Sequence, residues 1–150
     1  MRTECSIEIE RPIEEVFDYT INHVTEWSTT VVEEEVLEET PNHIGTKFRS
    51  VTQSHGRPME FLGEVTDHVP PHASAVTLRG AAFDLDVAYL FEDLDGRTRV
   101  TQIADVHGKG VFRIMLAIFG RFGQSASQQA QLEELKNLKF LLETNVKPSA

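Results

Sequence analysis

Apolar and polar residues alternate from the first few positions of the chain, with Cys5, Ile7 and Ile9 on one side and Glu4, Ser6, Glu8 and Glu10 on the other. A period of two is that of a half-buried strand, which predicts a strand over residues 3 to 10. The pattern then changes. Pro12 suits a first helical turn, Glu14 and Glu15 lie at the positive end of the dipole, and Ile13, Val16 and Phe17 share a face. A short helix is expected there, and a second short helical segment after it holds Trp27.

Between Val31 and Val106 strand-like runs are separated by turn signals at Pro41-Asn42, at His55 to Pro58, at Val69 to His72, at Gly80 and at Asp95-Gly96. About six consecutive antiparallel strands follow from this. If Asp95-Gly96 is a tight hairpin turn, Phe91 faces Val100, Tyr89 faces Gln102, Val87 faces Ala104 and Leu85 faces Val106, so the apolar residues agree on one face. The same register sets Asp86 against Asp105 and Asp84 against His107 on the other face, where like charges need compensation. With Gly56-Arg57 as the turn of an earlier hairpin, Met59 meets Ser54, Phe61 meets Thr52, Gly63 meets Ser50 and Val65 meets Phe48. That inner face is aromatic, small and hydroxylic.

After Gly108 and Gly110 the period becomes helical, and Leu132, Leu135, Leu138 and Leu142 form one stripe of a long helix over Val111 to Glu143. Extended backwards at 100° per residue, that stripe runs through Gln131, Gln128, Gln124 and Ala117. Phe112, Met115, Phe119 and Phe122 fall well round the helix. A continuous helix points the glutamines toward the sheet and leaves the aromatic stripe for a partner, such as a second copy in a homodimer. A break near Gly120 and Gly123 turns the aromatic stripe inward instead.

Composition narrows the function classes. A chain of 150 residues is about one domain long, and residues 1–150 are read as a single domain. Fourteen basic against 24 acidic residues give a net charge of −10, which disfavours nucleic acid and anionic bilayers. One cysteine, Cys5, excludes an internal disulfide and fits a reducing cytoplasm. The start of the chain has no signal-like apolar run, and Val111 to Phe119 is too short to span a bilayer, so no integral membrane contact is expected.

Specific chemistry is sparse. No Ser-His-Asp order, phosphate loop or zinc signature occurs, so no catalytic residue, metal or cofactor is assigned. The run Glu33-Glu34-Glu35 reads as a solvated face, and His55, His68 and His72 sit at turn signals where a solvated imidazole is the ordinary explanation. What stands out is that Ser50, Thr52, Tyr89 and Gln102 share a face with Phe48, Phe61, Phe83, Leu85, Val87 and Phe91. A dry core excludes unpaired polar groups, whereas a ligand pocket is apolar with a few placed polar atoms.

The order strand, two short helices, six-strand meander and long helix resembles the helix-grip fold of the START-like (SRPBCC) superfamily, in its polyketide cyclase/dehydrase branch. Carrying the resemblance are the strand-to-helix entry from Ile9 to Phe17, Gly45-Thr46-Lys47-Phe48, Val65 to Pro71 and Asp95 to Thr101. Where the family usually has a tryptophan pair, this chain has His23 to Trp27, a partial match. The resemblance implies an α+β fold in which a curved antiparallel sheet of about seven strands wraps the C-terminal helix around a cavity. The expected function is binding or carriage of a small hydrophobic ligand such as a lipid or polyketide. Trp27, Phe48, Phe61, Phe83, Leu85, Tyr89, Gln102 and Gln128 are the candidate ligand-binding residues. A cyclase/dehydrase-type enzyme and a protein-interaction module built on Phe112, Met115, Phe119 and Phe122 are the alternatives.

Overall fold

The computed structural model describes residues 1–54 and 56–144, leaving aside within them the side chains at 54, 116 and 118–124. Its elements are β1 (Arg2–Ile9), α1 (Ile13–Asn22), α2 (Val24–Trp27), β2 (Val31–Glu38), β3 (Lys47–Ser54), β4 (Arg57–Val69), β5 (Ala73–Arg79), β6 (Phe83–Asp93), β7 (Thr98–Gly108) and α3 (Gly110–Thr144). The strands form one curved sheet in the order β1-β7-β6-β5-β4-β3-β2. Every neighbouring pair is antiparallel, with β2 to β7 as a meander and β1 added beside the last strand. This is the helix-grip architecture the sequence resembles.

The β6–β7 hairpin has the expected register throughout, from Phe91 opposite Val100 to Leu85 opposite Val106. Asp95 and Gly96 both take positive φ, 64° and 96°, the conformation whose twist matches the flanking strands. In the β3–β4 hairpin the turn falls one residue earlier than the sequence suggests: Ser54 pairs with Arg57, Phe61 with Ser50 and Gly63 with Phe48. Gly56 therefore takes the second central position, where its φ of 75° costs a glycine little. The pairing moves by two residues, and since side chains alternate with period two every residue keeps its face.

On the outer face the opposed acids find partners. Asp84 meets Lys109 Nζ at 2.9 Å, while Asp86 accepts from Thr77 Oγ1 at 2.8 Å and meets His107 Nε2 at 3.0 Å. Asp105 faces the Met1 amino group at 3.8 Å. Ordinary ion pairs and hydrogen bonds supply the compensation.

The core is gathered at one edge of the sheet. Ile13, Val16 and Phe17 of α1, Ile9 of β1, Phe91 of β6 and Val100 of β7 close on Leu135, Leu138 and Leu142 of α3. The helix runs without interruption for 35 residues, through Gly120 and Gly123. Its buried stripe differs by one position from the one expected: Gln131 is buried and Leu132 only half-buried. The cause is helical phase, because 131, 135, 138 and 142 repeat at four and three, while position 132 lies 100° further round. Lys139 Nζ donates to the Glu8 carbonyl at 2.8 Å, Arg11 Nε to the Leu142 carbonyl at 3.0 Å and Asn137 Nδ2 to the Trp27 carbonyl at 2.6 Å, fixing this half of the helix to β1 and α2.

At its other end α3 meets the sheet through Phe112, whose ring stacks on Phe83 at 5.1 Å. Met115 is exposed, as are Val111 and Ile114. The side chains of Phe119, Phe122 and Gln124 lie outside the described residues. The aromatic stripe is thus not left wholly to a partner, since its first member is covered within the chain.

Candidate functional site

Away from the packed edge, the concave face of the sheet is hollow. A cavity of about 490 Å³ lies between the inner faces of β2 to β7, the end of α1, α2 and, among the described residues of α3, Glu134. Its apolar walls include Trp27, Phe48, Val76, Leu78, Leu85 and Val87. Interleaved with them are Ser50, Thr52, Ser74, Tyr89 and Gln102. Phe48 can lie flat along the sheet because its pairing partner is Gly63, where any Cβ would collide with the ring.

Two β-bulges decide which charged groups reach the hollow. In β2 the pairing steps from Val31–Thr52 to Glu33–Val51, so that Glu34 pairs with Ser50 and Val36 with Phe48. Without the extra residue, Glu33 would point inward and Glu34 out. In β4 the pairing steps from Val65–Val76 to Asp67–Ala75, which puts His68 opposite Ser74 on the inner face. Bulges re-aim side chains in this way because they add one residue to one strand only. Glu34 is accordingly not part of a wholly solvated acidic face, and His68 is not a turn residue: both line the cavity.

Each has a titration displaced by its setting. Crowding of the Glu34 carboxyl by protein raises its pKa, although much of the residue remains open to solvent at the cavity rim. Burial, and then the neighbouring His43, lower that of His68, which outweighs the opposing charge of Asp67. The two imidazoles meet edge to face at 4.4 Å, and the His68 ring also packs on Phe17 at 5.7 Å. His43 reaches this position from the β2–β3 connection with a positive φ of 71°.

Deeper in the hollow, Tyr89 stands edge-on to Trp27 at 6.3 Å, and its hydroxyl oxygen accepts from Gln102 Nε2 at 2.6 Å. Burial, followed by the negative charge of Glu134 and Glu34, pushes the phenol far above its ordinary pKa, so it stays protonated. Glu134 is held by two neutral donors, Ser28 Oγ and Thr30 Oγ1, each at 2.9 Å. Ser28 Oγ in turn accepts from the backbone N–H groups of Thr30 and Val31 at 3.2 and 3.0 Å. The buried hydroxyl of Thr52 has no hydrogen-bond partner among the described residues.

Of the residues singled out from sequence, Trp27, Phe48, Leu85, Tyr89 and Gln102 come together on this wall. The other three are placed elsewhere. Phe61 is buried beside Phe83 at 5.5 Å, and a Cβ on Gly80 would come within 2.5 Å of its ring. Phe83 in turn stacks on Phe112, so these rings are occupied with one another. Gln128 is exposed on α3, and it is Gln131, one turn on, that reaches inward, donating from Nε2 to the Gln102 carbonyl at 3.0 Å. Glu34 and His68 carried a solvated reading in the sequence and His43 and Glu134 no site assignment, yet all four line the cavity. Two are aimed by bulges, one by a loop conformation and one by a helix face that looked polar, and none of these leaves a mark in apolar periodicity.

Among the described residues no group of three His, Cys, Asp or Glu side chains is placed to hold a metal, and no helix is long and apolar enough to cross a membrane. A family model described as polyketide cyclase/dehydrase and lipid transport matches residues 1–139. No curated protein matches the chain. Among solved structures, a protein of Thermus thermophilus aligns at 17% identity with a TM-score of 0.79, covering 98% of this chain and all 100% of the other. The Zhui aromatase/cyclase from Streptomyces sp. R1128 aligns at 14% identity and TM-score 0.78, covering 100% and 98%. A START superfamily protein from Mycobacterium smegmatis aligns at 15% and 0.71, covering 97% and 96%. At these identities the likeness is one of fold.

Proposed function

The chain belongs to the polyketide cyclase/dehydrase and lipid transport family, and from that premise we propose that it binds a small, largely apolar molecule in the hollow of its sheet, as a carrier. The observation that carries this reading is the cavity itself. A hollow of about 490 Å³ with largely apolar walls, open to solvent at its rim, leaves apolar surface in water that an apolar ligand would cover. That volume falls within the roughly 300 to 1,000 Å³ typical of small-molecule sites. Trp27, Phe48, Leu85 and Val87 supply the apolar contact. Tyr89 orients the polar end: its oxygen is engaged by Gln102 while its proton faces no acceptor among the described residues, so a ligand oxygen can receive it.

Trp27 is the chain's single tryptophan and part of the cavity wall, so its emission reports on occupancy. Titration with an apolar probe should give a saturable change, and native mass spectrometry of the purified protein should find a retained small molecule. Ala104 lines the cavity opposite Val87, and Ala104→Phe, which fills space there, should weaken binding at least about tenfold while the fold persists. Saturable binding that is indifferent to Ala104→Phe, or no binding of any apolar probe, overturns the reading.

A second reading, an enzyme of cyclase/dehydrase type, is favoured by one observation: an acid with raised pKa and a histidine with lowered pKa, Glu34 and His68, line the same hollow. Such a pair suits proton transfer to and from a bound carbonyl compound. It predicts that a bound polyketide-like ketone is converted and that His68→Ala stops conversion while binding remains. Recovery of the ketone unchanged favours the carrier.

A further inference from the structure

The charges on the cavity wall are all of one sign. Glu34 and Glu134 turn toward it, while Glu35, opposite Arg49 in the strand pairing, points to the outer face; no lysine or arginine lines it among the described residues, and its basic groups are the imidazoles of His43 and His68. Elsewhere the chain pairs its acids: Arg49 takes Glu33 and Glu60, Arg99 takes Glu8 and Glu92, and Lys109 takes Asp84. Neither Glu34 nor Glu134 has a cation within ion-pair distance among the described residues. Glu134 is nonetheless held in place by Ser28 and Thr30, neutral donors that fix its direction and leave its charge intact.

Geometry turns this charge toward the hollow: the β2 bulge sets Glu34 opposite Ser50 on the inner face, and Ser28 and Thr30 hold Glu134 at the wall. Tyr89 lines the same hollow, and the charges of Glu134 and Glu34 both disfavour its phenolate. Crowding by protein raises the Glu34 pKa although the residue is open to solvent at the rim, and no cation among the described residues lies within ion-pair distance of it. The rings of Tyr89 and Trp27 and the unpartnered buried oxygen of Thr52 line the same hollow. Aromatic faces and carboxylates together attract a cation and repel an anion.

We propose that the cavity's ligand is a cationic amphiphile, a hydrophobic amine whose ammonium group sits between Glu34 and Glu134 while its apolar part lies against Phe48, Leu85 and Val87. The assignment rests on the binding function proposed above and adds the sign of the ligand's charge. Fatty acids and other anionic lipids are disfavoured by it, since a carboxylate in this hollow would face Glu34 and Glu134 without a counter-charge.

A matched series of eight-carbon probes, octylammonium, octanol and octanoate, followed by Trp27 emission at about 0.15 M salt to screen surface attraction, tests the proposal. Octylammonium should bind at least about tenfold tighter than octanol, the scale of one added charge interaction at a partly exposed site, with octanoate weakest. Glu34→Gln and Glu134→Gln should each cut the amine's advantage, and the double variant should bring it to within about threefold of octanol. Circular dichroism and chemical denaturation check that the variants fold, and octanol affinity should move far less than that of octylammonium. Octanol or octanoate binding as tightly as octylammonium overturns the charge assignment and leaves the cavity binder standing. An amine advantage that survives in the double variant overturns it too, by placing the amine on the acidic surface. If none of the three probes binds, the cavity reading fails and the charge assignment with it.

Discussion

One edge of the sheet and the rest of it carry the same alternating pattern and meet opposite fates. Where β1, β7 and the end of β6 face α1 and the last four turns of α3, the inward side chains are shut off from water: Ile9, Val16, Val100, Leu135 and Leu138 are all 0% exposed. Along β2 to β5 the inward positions include Val36, 62% exposed, with Val76 and Leu78 half-buried. A strand's alternation shows which residues face inward, but what meets them there depends on the helix. The leucine stripe of α3 covers the β1–β7 side, and among its described residues the helix contributes Glu134 to the wall of the hollow. The packed edge therefore supplies stability, and the uncovered part supplies space for a ligand.

The sharpest way to break this division is to truncate one residue on each side. Leu135→Ala removes a fully buried side chain from the grip and should cost about 2 to 5 kcal/mol in chemical denaturation. Leu85→Ala removes the same atoms from a half-buried position on the cavity wall, where no new void is opened inside packed protein. It should cost about 1 kcal/mol or less. Equal losses from the two variants would show that the hollow is packed as tightly as the grip.

The smallest expected effect concerns Glu34. Its pKa is raised by burial in the folded chain, so the native state holds the proton more tightly than the unfolded state does. The ionised carboxylate is thus unfavourable to folding above the raised native value, and that contribution disappears as the pH falls below the ordinary carboxylate range of about 4. Glu34→Gln should raise the melting temperature of the ligand-free protein slightly at pH 7 and leave it unchanged near pH 3.5. A lowered melting temperature at pH 7 would mean that the carboxylate has a stabilising partner in the empty cavity.

How much could be read in advance depended on the kind of signal. The β6–β7 register follows from Asp95-Gly96 and the alternation around it, since one tight turn and a period of two leave a single consistent pairing. The β3–β4 turn was displaced by one residue because glycine suits either central position of a two-residue loop, yet the faces survived for reasons of parity. Phe61 and Phe83 were correctly placed on the inner face, but whether an inward ring lines a cavity or packs on another ring depends on what α3 brings to it, here Phe112.

The sequence by itself determined the elements, their order, the antiparallel meander and the leucine stripe, because these follow from local periodicity, turn chemistry and helix phase. Only the tertiary structure decided the charged side of the site. Glu34 and His68 face the hollow because one extra residue is accommodated in β2 and another in β4, and a bulge is fixed by how neighbouring strands match across the sheet. Glu134 joins them because α3 crosses the sheet at an angle that brings that side chain to Ser28 and Thr30. Each of these contacts spans many residues of chain, and a local pattern holds no information about which distant strand or helix will come to lie against it.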